Sequence, residues 1–254
     1  MSESLVFSIL LIAFLVIGAV IFVLLFFVTA PYGRYAKTGW GRMMDTRSGW
    51  LIMESPASLL FFILYILSDR RAEAGAVMLL IVWQSHYLYR AFIYPFRQRR
   101  KKNMPLVIVL FAFVFNVINA YLQARWIFML APPLRYTLSW LTDIRFITGF
   151  LLFYFGMAIN RWSDESLSRL RRSGMADYGI PEGRLFEWVS CPNYLGEIIE
   201  WAGWALMVWS LPGLVFALWT LANLLPRARA HHNWYNKEFP GYPVKRKALI
   251  PFVY

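Results

Sequence analysis

An uninterrupted apolar run opens the chain. Residues 5–28 read LVFSILLIAFLVIGAVIFVLLFFV without one charge, and about 20 apolar residues suffice to cross the hydrocarbon core of a bilayer. The run is too long for the core of a signal peptide, and the preceding MSES has no positive charge, so a retained first helix is expected. Further apolar stretches follow at about 51–67, 76–96, 105–122, 138–159, 194–210 and 212–225. None alternates like a barrel strand, and backbone groups at bilayer depth must be paired within their own segment, so each stretch is expected to be helical. The pattern predicts an all-α integral membrane protein, a bundle of about seven transmembrane helices. Ser55 before Pro56 in ESPAS predicts an N-cap and a first-turn proline opening the second span. SLPG at 210–213 predicts the break between the last two.

Composition agrees. The 254 residues are 59% hydrophobic and 16% charged, against about 45–50% and about 25% in soluble domains. The net charge of +12 would suit nucleic acid if it were spread evenly, but it is not. With seven spans the loops alternate sides, and 20 of the Lys and Arg residues fall on one side against five on the other, with Arg90 inside a span. The positive-inside rule then places the N-terminus outside and the C-terminus in the cytosol. The charge reports topology, and no nucleic-acid partner is expected. Cys191 is the sole cysteine, and the three histidines lack i, i+4 spacing, so neither an intrachain disulfide nor a metal site is expected. No internal repeat divides the chain, which reads as one multi-pass domain over 1–254, and nothing in it requires more than one copy.

Several polar residues sit where lipid or bundle interior is expected: Glu54, Gln84, His86, Tyr87, Arg90, Asn116, Asn119, Glu197 and Glu200. A charge at the bilayer centre costs roughly 2.5–3.5 kcal/mol on insertion scales. Tyr87, Arg90, Tyr94, Arg97 and Lys101 share one helical face, as do Asn193, Glu197, Glu200 and Trp204. Arg227, His231 and Tyr235 form a third such set, and Asn160 with Asp164 a fourth. Each alone has an ordinary explanation: a cap, a polar seam between helices, a snorkelling arginine. Together they suggest a polar cavity opening to the cytosol. No P-loop or dinucleotide fingerprint is present, since GWGR at 39–42 lacks both the spacing and the preceding strand, so a phosphate-bearing ligand would need Arg side chains. A transporter using Glu197 and Glu200 as a cation site is disfavoured, because transporter folds often carry inverted repeats. The residues alone lead to a multi-pass protein with a polar, cytosol-facing intramembrane site.

At these residues the chain resembles the steroid 5α-reductase (3-oxo-5α-steroid 4-dehydrogenase) family, as a divergent or bacterial-like member. The motifs are GMAINRWSD, YGIPEGRLFEWVSCPNYLGEIIEW, WSLP and YPVKRKALIPF, with weaker matches upstream in TDIRF, HYLYRAFIYP and MESPAS. The resemblance covers most of the chain from about residue 50. It implies NADPH-dependent reduction of the C4–C5 double bond of a 3-oxo-Δ4-steroid or similar lipid enone, with hydride to C5, an enolate at the 3-oxo group and a proton to C4. Glu54 and Tyr87 take the catalytic positions. Tyr87 is a natural donor, while Glu54 either donates as the protonated acid or orients Tyr87; burial favours the first, a helix N-terminus at Pro56 the second. Trp50, Glu54, Tyr87 and Arg90 form the implied substrate set. Asn160, Asp164, Arg171, Tyr178, Asn193, Glu197, Arg227, His231 and Tyr235 form the implied NADPH set. Residues 1–130 thus become the substrate-side helices and 131–254 the NADPH-binding half. Met53 departs from the family, whose mammalian steroid enzymes tend to have a polar residue before the glutamate. Enoyl-CoA and polyprenol reductases, and isoprenylcysteine-type methyltransferases using S-adenosylmethionine, share looser forms of the C-terminal pattern and are the alternatives. The expected location is a bacterial inner membrane or the endoplasmic reticulum.

Overall fold

The computed structural model describes residues 2–35, 39–97, 103–170 and 179–254. The helices are α1 (Glu3–Phe27), α2 (Thr46–Ile66), α3 (Ala74–Tyr87), α4 (Tyr94–Arg97), α5 (Leu106–Arg125), α6 (Ile144–Leu170), α7 (Pro192–Val208) and α8 (Leu211–Glu238). Two three-residue strands, β1 (Met43–Asp45) and β2 (Asn103–Pro105), pair antiparallel just ahead of α2 and α5. Among the described residues, five helical segments, at Glu3–Phe27, Thr46–Ile66, Ala74–Arg97, Leu106–Leu130 and Leu211–Glu238, are long and apolar enough to cross a membrane. The protein is therefore a largely helical membrane protein. The described chain divides into two compact units, Met1–Ile12 with Ala30–Phe146 and Ala13–Thr29 with Ile147–Tyr254.

Three expectations about element limits need correction. First, Ser55 and Pro56 do not open the second span. The helix begins at Thr46, where Asp45 caps it by accepting a hydrogen bond from Ser48 N at 3.1 Å, and Pro56 lies inside. Proline has no N–H for the carbonyl four residues back, which is that of Ile52. The Ser55 hydroxyl donates to that carbonyl oxygen at 3.4 Å, so the helix continues through the proline. Second, residues 138–142 form a 3-10 turn, and α6 starts at Ile144. Third, the last apolar stretch and the Arg227, His231 and Tyr235 set, read separately from the sequence, belong to one helix, as α8 runs through Pro226 to Glu238. The SLPG break is as expected: Ser210 accepts from Gly213 N at 3.2 Å as the N-cap of α8, with Pro212 in the first turn.

In the first unit α2 packs chiefly on α5, and to a lesser extent on α3 and the turn that follows it. Phe7 on α1 lies against Tyr121 and Trp126, and Glu3 pairs with Arg125. Between α3 and α4 the chain makes a π turn over Leu88–Ile93, directly before Pro95. The turn carries one residue more than an α-helical path, so the single face expected for Tyr87 through Arg97 changes register there; Lys101 lies outside the described residues. At the start of α6, the Arg145 guanidinium holds the half-buried carboxyl of Asp143 down to about 2 through Nε and Nη2 hydrogen bonds of 2.8 and 2.6 Å.

The second unit is built around bare backbone. Gly149 and Gly156 on α6 face Gly203 and Gly196 on α7, with the same seven-residue spacing on both helices. A methyl group on Gly149 would lie 2.6 Å from the Gly203 carbonyl oxygen, and one on Gly156 2.5 Å from that of Gly196. Small residues at helix contacts allow this approach, which hydrophobicity alone does not drive in lipid. The part of α1 from Ala13 onward joins the unit through Phe14 and Gly18, which meet Trp219, and the Trp219 indole donates to the Phe14 carbonyl at 2.8 Å.

Gly156→Ala should therefore lower unfolding stability by about 1–3 kcal/mol through overpacking. Gly241→Ala, with nothing within 4 Å, should stay within about 0.5 kcal/mol of wild type. Thermal unfolding of both variants in detergent checks this. The Asp143 pair carries a pH signature of defined sign. Its folded value lies below the ordinary 3.8, so its contribution is complete above that pH and lost as pH falls toward about 2. The difference in melting temperature between wild type and Arg145→Met should narrow over that window.

Candidate functional site

Glu54 and Tyr87 are set by the pairing of α2 with α3. The Trp83 indole donates to the Ala57 carbonyl at 2.8 Å. One residue on, Gln84 Nε2 donates to the Ser58 carbonyl at 2.9 Å while Ser58 Oγ donates to Gln84 Oε1 at 2.7 Å. These bonds set Ala57 and Ser58 level with Trp83 and Gln84, and the short connection from Ile66 to Ala74 returns α3 antiparallel to α2. Glu54 lies three residues before Ala57 and Tyr87 four after Trp83, one turn along each helix. The two expected catalytic residues therefore stand at one level of the α2–α3 pair. Tyr87 is buried at 3% exposure between the rings of Trp83 and His86, at 4.7 and 4.9 Å. Glu54 is half-buried, and the Asn116 amide on α5 reaches its Oε2 at 3.3 Å. Because α2 begins at Thr46, Glu54 sits more than two turns inside the helix. The expected influence of a helix N-terminus on its charge is absent, since that effect fades within the first turn.

Trp50 and Arg90 also come together. The Arg90 guanidinium lies 4.6 Å from the Trp50 ring centre and 4.7 Å from that of Tyr94, and the two rings meet edge to face at 5.5 Å. Arg90 thus lies against aromatic faces, a cation–π arrangement. Arg97 Nη1 donates to Tyr89 Oη at 3.3 Å across the π turn. Met53, the departure noted above, is buried with Met104 and Val109.

In the second unit, Asn160 on α6 and Asn193 and Glu197 on α7 converge. Asn160 Nδ2 donates to the Asn193 carbonyl at 3.0 Å and to Glu197 Oε2 at 3.3 Å, and Asn193 Nδ2 donates to Asp164 Oδ1 at 3.1 Å. All four members of this expected group are in one hydrogen-bonded set. Arg227 and His231 form another through a residue not singled out from the sequence. Arg227 Nε donates to Tyr194 Oη at 2.9 Å, and the same hydroxyl lies 3.1 Å from His231 Nε2. Tyr235 lies further along α8, its ring stacked at 5.1 Å on Tyr242. Glu200 is fully buried on the α7 face that packs at Gly156. Arg171 and Tyr178 lie outside the described residues.

A third set ties down the C-terminal segment. Ser190 Oγ is 2.7 Å from His232 Nδ1, 2.7 Å from Tyr242 Oη and 3.1 Å from the Lys247 carbonyl. Burial pushes the Tyr242 phenol above its ordinary value, so it stays protonated. A bridge between Val189 and Lys247 completes the join. Tyr194, Ser190, His232 and Tyr242 had no distinguishing signal in the sequence, because their partners are 33–57 residues away.

The site chemistry is thus a phenol and a carboxyl at one helix level beside an arginine–aromatic wall, and separately an amide–carboxylate set next to an arginine–tyrosine–histidine set. The family model described as 3-oxo-5-alpha-steroid 4-dehydrogenase matches residues 102–254. A steroid 5-alpha-reductase of Arabidopsis thaliana is 43% identical over 239 residues, covering 91% of this chain and 90% of its own. The 3-oxo-5-alpha-steroid 4-dehydrogenase 1 of Bos taurus is 41% identical over 241 residues, with 93% of each chain covered. Its Homo sapiens counterpart is 41% identical over 225 residues, covering 88% and 86%. The chain therefore belongs to the 3-oxo-5-alpha-steroid 4-dehydrogenase family of oxidoreductases.

Proposed function

We propose that this protein reduces the C4–C5 double bond of a 3-oxo-Δ4-steroid using NADPH. One observation carries the reading: Glu54 and Tyr87 stand at one level of the α2–α3 pair, in a chain 41–43% identical to steroid reductases over about nine-tenths of its length. Reduction of an enone places negative charge on the 3-oxo oxygen, and donors aimed at that oxygen supply the largest stabilisation when water is excluded. Tyr87 donates its phenolic hydrogen to that oxygen as the enolate forms. Glu54 either shares the charge as a protonated acid or orients the Tyr87 hydroxyl as a carboxylate. Trp50 and Arg90 contribute the wall against the steroid. Protonation at C4 completes the reaction.

The residues of the second unit fit NADPH chemically. Its phosphates need a cation, its ribose hydroxyls need acceptors, and its carboxamide needs both donors and acceptors. Arg227, fixed through Nε to Tyr194, supplies the cation, together with Arg171. Asn193 and Glu197 serve the carboxamide and ribose hydroxyls. Asp164 and Tyr178 serve the adenosine end, and Asn160, His231 and Tyr235 complete the set. When bound, NADPH supplies the hydride that reaches C5. The helices α6 and α7 complete a topology of seven spans, with the N-terminus outside and the cofactor residues facing the cytosol, in a bacterial inner membrane or the endoplasmic reticulum.

Glu54→Gln and Tyr87→Phe should each reduce kcat by at least about 10²-fold, the cost of one oxyanion donor. NADPH affinity, read by fluorescence titration, should change less than about twofold, because the lost group acts on substrate. A Tyr87→Phe protein with full activity overturns the assigned mechanism. Ligand-dependent melting separates this reading from the methyltransferase one. NADPH at 100 times its Kd should stabilise the fold by about 2.7 kcal/mol, and S-adenosylmethionine by none. Turnover of a panel of Δ4-3-ketosteroids, enoyl-CoAs and polyprenals identifies the substrate class, and reduction confined to the last two removes the steroid assignment.

A further inference from the structure

Asn116 stood out in the sequence as an amide within an apolar helix, and neither the cofactor set nor the catalytic pair uses it. It is 4% exposed. Its one amide nitrogen reaches two acceptors on α2, the Met53 carbonyl oxygen at 2.7 Å and Glu54 Oε2 at 3.3 Å. A backbone carbonyl only accepts, so the nitrogen, not the oxygen, must face α2. An NH2 group carries two hydrogens and can serve both acceptors at once. A serine or threonine hydroxyl has one hydrogen and could serve only one.

The two acceptors belong to consecutive residues, one through backbone and one through side chain. A single group on α5 therefore fixes both where this turn of α2 lies and which rotamer Glu54 adopts. We infer that Asn116 is a positioning residue for Glu54, holding the carboxyl through Oε2 in the rotamer that serves the reaction. In a protonated carboxyl the accepting oxygen is the carbonyl one, which puts the acidic hydrogen on Oε1. In a carboxylate, the same bond holds the side chain in the rotamer from which it orients Tyr87. The inference rests on the reading of Glu54 as a catalytic group, and it holds for either of that residue's two roles.

The test compares Asn116→Leu, which keeps the volume but removes both hydrogens, with Asn116→Ser, which keeps one donor, and Asn116→Ala. Steady-state kinetics with a Δ4-3-ketosteroid, NADPH titration and melting temperature are measured on each purified protein, with Glu54→Gln in parallel. Misplacing a catalytic group by an ångström costs about 10²-fold. Asn116→Leu should accordingly lower kcat by about 10- to 100-fold while the NADPH dissociation constant stays within about twofold. The serine variant should recover part of the loss, so that kcat follows the number of donors rather than the melting temperature. An Asn116→Leu protein with wild-type kcat overturns the inference, as does a kcat loss matched by an equal loss of NADPH affinity. Failure of all three variants to give NADPH-binding protein also overturns it, because the residue is then structural. Full activity in Glu54→Gln overturns the Glu54 reading itself. An inactive Glu54→Gln beside an active Asn116→Leu removes only the role of Asn116.

Discussion

The second unit depends on a contact in which neither helix offers a side chain. At Gly149–Gly203 and Gly156–Gly196 the backbones of α6 and α7 approach so closely that a methyl group at any of the four positions would meet backbone atoms of the other helix. The consequence reaches the proposed cofactor residues. The backbone nitrogen of Asn160 lies 2.5 Å from where a Gly196 methyl would be, and the Asn160 amide bonds to the neighbours of that glycine, Asn193 and Glu197. Any side chain at 196 would push Asn160 away from both. The polar set is a by-product of close packing as much as of polar residues.

In the first unit the governing element is α2, whose carbonyls attract donors from three sources. Ser55 serves the carbonyl of Ile52, Asn116 that of Met53, Trp83 that of Ala57 and Gln84 that of Ser58. Three of those donors come from neighbouring helices and surround the turn that carries Glu54. Side-chain bonds of this kind in an apolar bundle are worth only about 1 kcal/mol each. Their value here is geometric: they set the level and rotation of α2 against α3 and α5. That is why polar residues that look misplaced in an apolar run sit beside the proposed oxyanion donors.

Much of this was legible beforehand. Apolar runs and the aligned Arg227, His231 and Tyr235 located the helices, and the Ser–Pro signal at Ser210–Pro212 marked a real helix start. The same kind of signal at Ser55–Pro56 misled, because a side-chain hydroxyl can replace a missing N–H inside a helix as well as cap its beginning. Distinguishing the two needs the upstream residues DTRSGWLIM, which already form the helix. Helical spacing grouped Asn193 with Glu197 and Asn160 with Asp164, and the family resemblance alone put the two groups in one set; the bonds between them were not readable. Tyr194 between Arg227 and His231, and Ser190 with His232 and Tyr242, could not be read, because each depends on how segments far apart in the chain meet. The glycines were visible as residues but not as a contact, since their meaning lies in the matched spacing of two helices rather than in either one.

The π turn at Leu88–Ile93 has a further consequence for how the first unit could diverge. It follows a stretch whose register is fixed to α2, through Trp83 and Gln84, and sets the positions of Arg90 within it and Tyr94 beyond it against Trp50. Removing one residue from the turn would let it heal into ordinary α-helix, rotating everything beyond by about 100°. The phenol of Tyr87 would keep its level opposite Glu54 while the arginine–aromatic wall turned away. Such a joint lets a lineage exchange the walls around a ligand by insertion or deletion without disturbing the groups placed to act on it.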